Sequence, residues 1–127
     1  MPQRLRYALL SLCLAVAATP LAASDDTLPH PLTITIDYGD QRPLRSVVTE
    51  AMPNATALEI LQQVAKVNVR TTGKFRFVTS IDGVKSIPGK MGWFYAVDGV
   101  KAKELAATRR IGDASTMSWS YSIEACY

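Results

Sequence analysis

Histidine and cysteine are scarce in this sequence, and their scarcity restricts the chemistry that the chain can perform. One histidine and two cysteines occur among 127 residues. The histidine, His30, lies between two prolines ahead of the first regular pattern, so no histidine within the predicted fold can serve as the base of a nucleophile–base pair. The sequence also lacks a CxxC motif, an HExxH motif and a glycine-rich phosphate loop. We therefore expect a protein that is not an enzyme and that requires no metal or other cofactor.

An excess of charge of one sign is also missing once the N-terminus is set aside. Residues 1–24 contain Arg4 and Arg6 and no acid. The other 103 residues hold 12 of the 14 basic side chains and all 11 acidic ones, which gives a net charge of +1. A nearly neutral chain without a basic cluster lacks the electrostatic attraction on which nucleic-acid binding depends. Nucleic acid is therefore excluded as a partner.

The first 24 residues have the order of a secretory signal and lack the long apolar run of a membrane anchor. Two arginines precede the apolar run Ala8–Ala18, and Ala22-Ala23-Ser24 supplies the small residues of a cleavage site. This run of 11 residues is shorter than the roughly 20 residues that a bilayer-spanning helix needs. The sequence predicts cleavage after Ser24, export to the periplasm or out of the cell, and no membrane span after cleavage. Cleavage would remove Cys13 and leave Cys126 as a lone thiol.

From residue 32 onward the hydrophobic residues recur with the periods of strands and of one helix. One segment, Ala57–Val67, repeats apolar residues at helical spacing, and Thr56 with Glu59 has the spacing of a capping box. The adjacent Val47 and Val48 break the alternation of the second strand, which indicates a bulge or a bend. Five segments are predicted strands: Leu32–Tyr38, Leu44–Met52, Phe75–Ile81, Gly92–Val97 and Met117–Ile123.

This order of elements predicts an α+β fold, a β-grasp-like two-layer sandwich with one helix packed on a mixed four- to five-stranded sheet. Residues 25–31 would form a flexible lead. The first and last strands would lie side by side at the centre of the sheet. Two polar triplets would then share the face away from the helix, and the pattern favours an ordinary solvated face over a ligand surface. The triplets are Thr33, Thr35, Asp37, Ser118, Ser120 and Ser122.

Five aromatic residues are candidates either for the core or for a ligand surface. Trp93, Phe94 and Tyr95 are consecutive, so a strand must direct them to both faces. If Trp93 and Tyr95 pack under the helix, Phe94 lies on the polar face, whereas the opposite register exposes the Trp/Tyr pair. Trp119 and Tyr121 alternate with serines only, which assigns both rings to the core.

Five motifs follow one another along the chain in a definite order and spacing: Asp37-Tyr38-Gly39, Ala55–Leu61, Phe77–Gly83, Gly92–Gly99, and Gly112-Asp113 ahead of the Trp119/Tyr121 strand. Together they resemble the transcobalamin-like C-terminal domain family, and the chain looks like a stand-alone bacterial member of it. In transcobalamin and intrinsic factor this domain is β-grasp-like and covers one side of cobalamin, while a large helical domain covers the other side. The resemblance implies that residues 32–127 form such a domain.

The resemblance also implies a function and a site. It implies that the chain binds cobalamin or a related corrinoid through one face or loop edge of the sheet. The implied contacts come from the turn after the Phe75–Ile81 strand and from the start of the aromatic strand: Ser80, Ile81, Asp82, Gly83, Trp93 and Tyr95.

Two further expectations concern partners. These 127 residues hold no counterpart of the helical domain, so a second exported or outer-membrane protein would be needed to cover the other side of the ligand. The alternative is a protein-interaction domain without a small-molecule ligand. Such a domain would dock on an exported or outer-membrane protein through a sheet edge or the polar face.

We expect the chain recovered from an exporting cell to begin at Asp25, because signal peptidases read small residues at the positions that Ala22 and Ser24 occupy. Intact-mass measurement of the exported protein checks this. In the matched variant Ser24→Leu, a large side chain next to the scissile bond should leave the precursor uncleaved. Recovery of an exported chain that still begins at Met1 would contradict the predicted cleavage.

Overall fold

Strands make up most of the structure, a computed structural model that describes residues 28–123. The predicted signal segment and both cysteines lie outside the described residues. Within residues 28–123, eight strands and one helix follow one another, so the predicted α+β class is confirmed. The elements are β1 (His30–Asp37), β2 (Arg45–Ala51), α1 (Ala57–Val64), β3 (Val67–Thr72), β4 (Phe75–Ile81), β5 (Val84–Lys85), β6 (Met91–Val97), β7 (Val100–Lys101) and β8 (Thr116–Ile123).

A mixed five-stranded sheet has the order β2-β1-β8-β6-β7. β1 runs parallel to β8, and the other neighbours are antiparallel. The predicted pairing of the first and last strands is thereby confirmed. Thr35 lies opposite Ser118 and Asp37 lies opposite Ser120, so the two polar triplets share one face of this sheet. β1 begins at His30, whose Nε2 donates to the carbonyl of Ala114 at 2.9 Å, so the strand takes in the last two residues of the predicted lead.

The described residues form two sheets, whereas the sequence predicted one. The predicted strand Phe75–Ile81 is β4 of a separate small sheet, which consists of β3, β4 and β5 in that order. Val67 continues the helical spacing of α1, and for that reason the helix was expected to reach it. The structure ends α1 at Val64, and Ala65 already has an extended backbone, with φ −142° and ψ 160°. The β-branched residues that follow favour a strand. The bulge or bend predicted at Val47 and Val48 is not found, since β2 pairs with β1 without interruption. A bulge lies instead between Asn68 and Val69 in β3.

The helix begins where the capping box predicted. The Thr56 hydroxyl accepts a hydrogen bond from the Glu59 N–H at 3.2 Å, and the Glu59 carboxylate accepts one from the Thr56 N–H at 2.8 Å. These two bonds satisfy main-chain donors that no helical carbonyl can reach. The apolar face of α1 is fully buried and packs in the main core. It consists of Ala57, Leu58, Ile60 and Leu61.

The aromatic strand adopts the first of its two predicted registers. Trp93 lies opposite Tyr121, and Tyr95 lies opposite Trp119, so these four rings share the face that forms the core. Trp119 and Tyr121 are buried as expected. Phe94 lies opposite Ser120 on the polar face.

The carboxylate of Asp82 connects parts of the chain that are distant in sequence. It lies in the tight turn between β4 and β5, where Asp82 has φ 51° and Gly83 has φ 88°, the positive φ values of a type I′ turn. The carboxylate accepts hydrogen bonds from the Tyr38 hydroxyl, from Arg45 Nη1 at 3.0 Å and from the N–H of Lys66 at 3.0 Å. It thus ties the small sheet to β2, to the end of β1 and to the chain after α1.

The surroundings of Asp82 favour its ionised form. Burial by itself would raise the pKa of this carboxyl. The hydrogen bonds from Tyr38 and Lys66, together with the charge of Arg45, outweigh burial and lower the pKa below its ordinary value. The ionised carboxylate therefore stabilises the folded state above the ordinary carboxyl pKa of about 4, and this contribution is lost as the pH falls through the lower folded-state pKa.

We expect Asp82→Asn to lower the free energy of unfolding at neutral pH by about 1–3 kcal/mol, because the amide cannot replace a charged acceptor of three hydrogen bonds. Asparagine tolerates the positive φ, so the turn itself is retained. The difference from the unmodified protein should shrink at about pH 3, because this pH lies below the ordinary carboxyl pKa of about 4, so that the unfolded chain binds a proton that the folded carboxylate resists. Urea unfolding at neutral pH and at about pH 3 measures this difference in the free energy of unfolding. Asp40→Asn, in the exposed turn after β1, is the matched control. Equal stability of the two variants at neutral pH would contradict this role.

Candidate functional site

The outer edge of β6 is only partly paired. Ile87 forms a β-bridge with Met91, and β7 pairs with Ala96 and Val97. Trp93 lies between these points, and within residues 28–123 no strand pairs with it on this side. The N–H and C=O of Met91 bond to Ile87, on the outer side of β6. Main-chain groups alternate in direction along a strand, so the N–H and C=O of Trp93, two residues later, also point to this outer side, where the edge is open.

The outer edge of β4 is open in the same region. β5 pairs only with Ser80 and Ile81, and the N–H of Ser86 donates to the carbonyl of Thr79 at 2.8 Å. In the described part of the chain, no strand pairs with the segment 75–78 on that side. The small sheet thus presents an open edge near the open edge of β6.

The space between these two edges is a cleft, which we call the interstrand cleft. Its centre is lined by Phe77, Val78, Trp93 and Phe94, which are shared by two compartments. The compartment toward β5 has a volume of about 500 Å³, and the one toward β7 about 410 Å³. Both volumes fall within the range of roughly 300–1,000 Å³ that is typical of small-molecule sites.

Trp93 forms a rigid wall of the cleft. Its indole N–H donates to the carbonyl of Val84 at 2.9 Å. Its ring packs edge-on against Tyr38, with 5.9 Å between centroids, and at a tilt of 45° against Tyr121, with 5.1 Å between centroids. The Tyr121 hydroxyl donates to the carbonyl of Lys85 at 2.7 Å. These two bonds hold β5 against the large sheet, and they fix the distance across the cleft.

Polar side chains line the compartment toward β5. Ser80 is buried, and its hydroxyl oxygen accepts a hydrogen bond from Asn68 Nδ2 at 2.8 Å. Asn68, Arg70 and Ser86 also line this compartment. It therefore combines an aromatic wall with side chains that can donate to and accept from amides.

The compartment toward β7 is built on stacked rings. Tyr95 stacks on Trp119 at 4.9 Å between centroids, and its hydroxyl donates to the carbonyl of Glu104 at 2.7 Å. Burial, with the nearby charge of Glu104, raises the pKa of Tyr95 to about 12, so the hydroxyl is a neutral donor at neutral pH. Among residues 28–123, the indole N–H of Trp119 is the buried side-chain polar atom that has no hydrogen-bond partner.

The rim of the cleft is positive. The lining of the two compartments includes four basic residues and one acidic residue. Such a rim attracts a ligand that carries negative charge or carbonyl groups at its periphery. The charged residues are Arg70, Arg76, Lys85, Lys103 and Glu104.

The structure divides the six site residues that the sequence proposed. Ser80 and Trp93 lie together in the compartment toward β5, and Tyr95 lines the one toward β7. Ile81 is fully buried in the core. Asp82 and Gly83 line separate shallow cavities beside Arg42, and the Asp82 carboxylate is engaged by its three donors.

Sequence reasoning missed the contribution of β3 and of the first half of β4 to the cleft. Asn68 and Arg70 come from a strand that was not predicted. Phe77 was noted in an alternating strand and in the Phe77–Gly83 motif, but it was not proposed as a site residue. The signal in the sequence was the pair of large apolar residues Phe75 and Phe77 ahead of Ile81. In the structure Phe75 and Phe77 are 50% and 38% exposed, whereas Ile81 is fully buried. The first half of β4 therefore projects beyond the core.

Residues 28–123 contain no group of three or more His, Cys, Asp or Glu side chains that could hold a metal ion. In the same range, no helix has the length and apolar character to cross a membrane.

Seventeen chains among the solved structures resemble this one. One is a proposed metal-binding protein from Ruminococcus gnavus, 18% identical, with a TM-score of 0.59 over 75% of this chain and 98% of that chain. Another is haptocorrin in complex with Cbi, 8% identical, with a TM-score of 0.60 over 86% of this chain and 28% of haptocorrin. At these identities the likeness shows a shared fold.

No curated protein matches the sequence. A family model does match it, over residues 54–122, which is more than half of the chain. This range runs from the turn before α1 to the end of β8 and includes the whole interstrand cleft. The chain therefore belongs to the DUF4430 family, a domain of unknown function.

Proposed function

We propose that this chain is an exported, non-catalytic module that binds cobalamin or a related corrinoid at the interstrand cleft. The observation that carries the proposal is the cleft itself, an aromatic wall with polar and basic side chains between two open strand edges. The fold adds support, since haptocorrin, whose structure contains Cbi, has a similar fold over most of this chain. On this proposal the two sheets and α1 have the β-grasp-like arrangement of the transcobalamin C-terminal domain.

The chemistry of a corrinoid suits such a cleft. A corrin ring has methyl groups and amide-bearing arms at its edge, so it needs apolar contact and hydrogen bonds within a short distance. Phe77 and Trp93 offer ring surface, while Asn68, Arg70 and Ser86 offer polar partners. Each compartment holds only part of such a ligand. One edge of the ring would enter the cleft, and the rest would stay available to solvent or to a second exported protein.

We expect the purified protein to bind cobalamin or cobinamide at micromolar concentrations. Equilibrium dialysis, read by the visible absorbance of the corrinoid, measures this. Both corrinoids serve as probes, because cobalamin carries a nucleotide phosphate that cobinamide lacks. Tighter binding of cobalamin at low salt would agree with attraction by the basic rim. If neither is retained at high micromolar concentration, the corrinoid proposal is wrong and the protein-interaction alternative takes its place.

Two variants of β4 localise the site. Phe77→Ala removes a ring that lines both compartments, and we expect it to weaken corrinoid binding about 10-fold, equivalent to about 1.4 kcal/mol. Phe75→Ala removes an identical side chain two residues earlier in β4. The Phe75 ring is exposed and does not line the cleft. This matched control should leave the dissociation constant within about 3-fold. Equal weakening by both substitutions would place the ligand elsewhere.

A further inference from the structure

The outer edge of β2 is open along its whole length. Within residues 28–123 only β1 pairs with this strand. The N–H of Thr33 donates to the carbonyl of Ser115, on the side of β1 that faces β8. The next residue, Ile34, therefore directs its main-chain groups to the opposite side, toward Val47 of β2. By the same alternation, Ser46, Val48 and Glu50 direct their N–H and C=O groups outward. Such a row of main-chain groups is a template for another strand.

The side chains on this edge are unusually apolar. Leu44 is 61% exposed, Val48 65% and Met52 40%. The three residues are spaced by four. Leu44 and Met52 flank β2, and strand alternation continued by one residue at each end puts all three on one face of the sheet. Edge strands are commonly protected by charged side chains, especially lysine, or by proline. Residues 44–52 contain no lysine and no proline, and Glu50 is the charged residue on the face of Val48.

On the face that Val48 occupies, the pattern of polar and apolar residues is symmetric about Val48. The apolar Leu44 and Met52 lie four positions away from it, and the polar Ser46 and Glu50 lie two positions away. An antiparallel pair with a two-fold axis at Val48 therefore places like with like. It would set Ser46 opposite Glu50 and Leu44 opposite Met52, and it would not set Glu50 opposite itself. This self-complementarity is the property that a two-fold interface requires.

We propose that a second copy of this chain binds along the outer edge of β2, with the two-fold axis at Val48, and that the two large sheets form one continuous sheet. The outward main-chain groups of Val48 would bond to those of Val48 in the second copy. Ser46 and Glu50 would bond to each other's strand in the same way. The exposed valine, leucine and methionine side chains would form an apolar strip across the junction.

The proposed interface leaves the interstrand cleft open. β2 is at one end of the strand order, while β6 is separated from it by β1 and β8. The dimer is thus independent of the corrinoid proposal and can be tested without a ligand. A single strand pair is a small interface, which predicts weak, concentration-dependent association.

Sedimentation velocity of the purified protein from low to high micromolar concentration tests the dimer. We expect a monomer–dimer equilibrium for the unmodified chain and a monomer throughout for Val48→Lys, which sets two like charges together at the axis. Val100→Lys is the matched control, since Val100 is 70% exposed on β7 at the opposite edge. It should dimerise like the unmodified protein. A monomer at all concentrations, or equal dimerisation of Val48→Lys, would overturn the proposal.

Disulfide trapping tests the register and does not depend on how Val48→Lys folds. In a background with Cys13 and Cys126 replaced by serine, Val48→Cys should cross-link efficiently, because directly opposed residues have Cα atoms about 5.5 Å apart, within disulfide reach. Ser46→Cys alone should not cross-link, since its opposite residue is Glu50, whereas Ser46→Cys combined with Glu50→Cys should. Cross-linking of Ser46→Cys alone as efficient as that of Val48→Cys would exclude this register.

Discussion

The fold depends on the Asp82 carboxylate, which holds the small sheet against the large one. Tyr38 lies just after β1, Arg45 begins β2 and Lys66 follows α1, and all three donate to this group. Without it, the turn between β4 and β5 would lack its main polar attachment. The interstrand cleft lies between β4 and β6, so its width is set by how firmly these two sheets are joined. The contacts of Asp82 thereby act together with the hydrogen bonds from Trp93 and Tyr121 to β5 in maintaining the interstrand cleft.

The central pair of strands in the large sheet, β1 and β8, could be predicted from the sequence because their residues obey one strong rule. β1 and β8 alternate strictly between apolar and polar residues, since one face packs in the core and the other meets solvent. The start of α1 was equally predictable, because the side chains of Thr56 and Glu59 each accept a hydrogen bond from the other's main-chain N–H. Local rules of this kind do not depend on where the rest of the chain goes.

The small sheet and half of the cleft could not be predicted in the same way. Val67 fits both a helix continuing from α1 and a strand, and only tertiary pairing with Ile81 decides between them. Asn68 and Arg70 enter the site as a consequence of that pairing. Ser80 and Trp93 were proposed from a family resemblance. In the structure both line one compartment, and Trp93 is held there by its hydrogen bond to Val84 of β5.

The parallel pairing of β1 with β8 has a consequence for when the chain can fold. The strand at the beginning of the fold acquires its central neighbour only when residues 116–123 are available. Contacts between such distant segments slow folding, because a long loop must close before they form. On the proposed export in an extended state, this delay would be an advantage, because the large sheet cannot close around its core before β8 is available. The topology that builds the sheet would then keep the proposed precursor competent for transport until β8 has crossed.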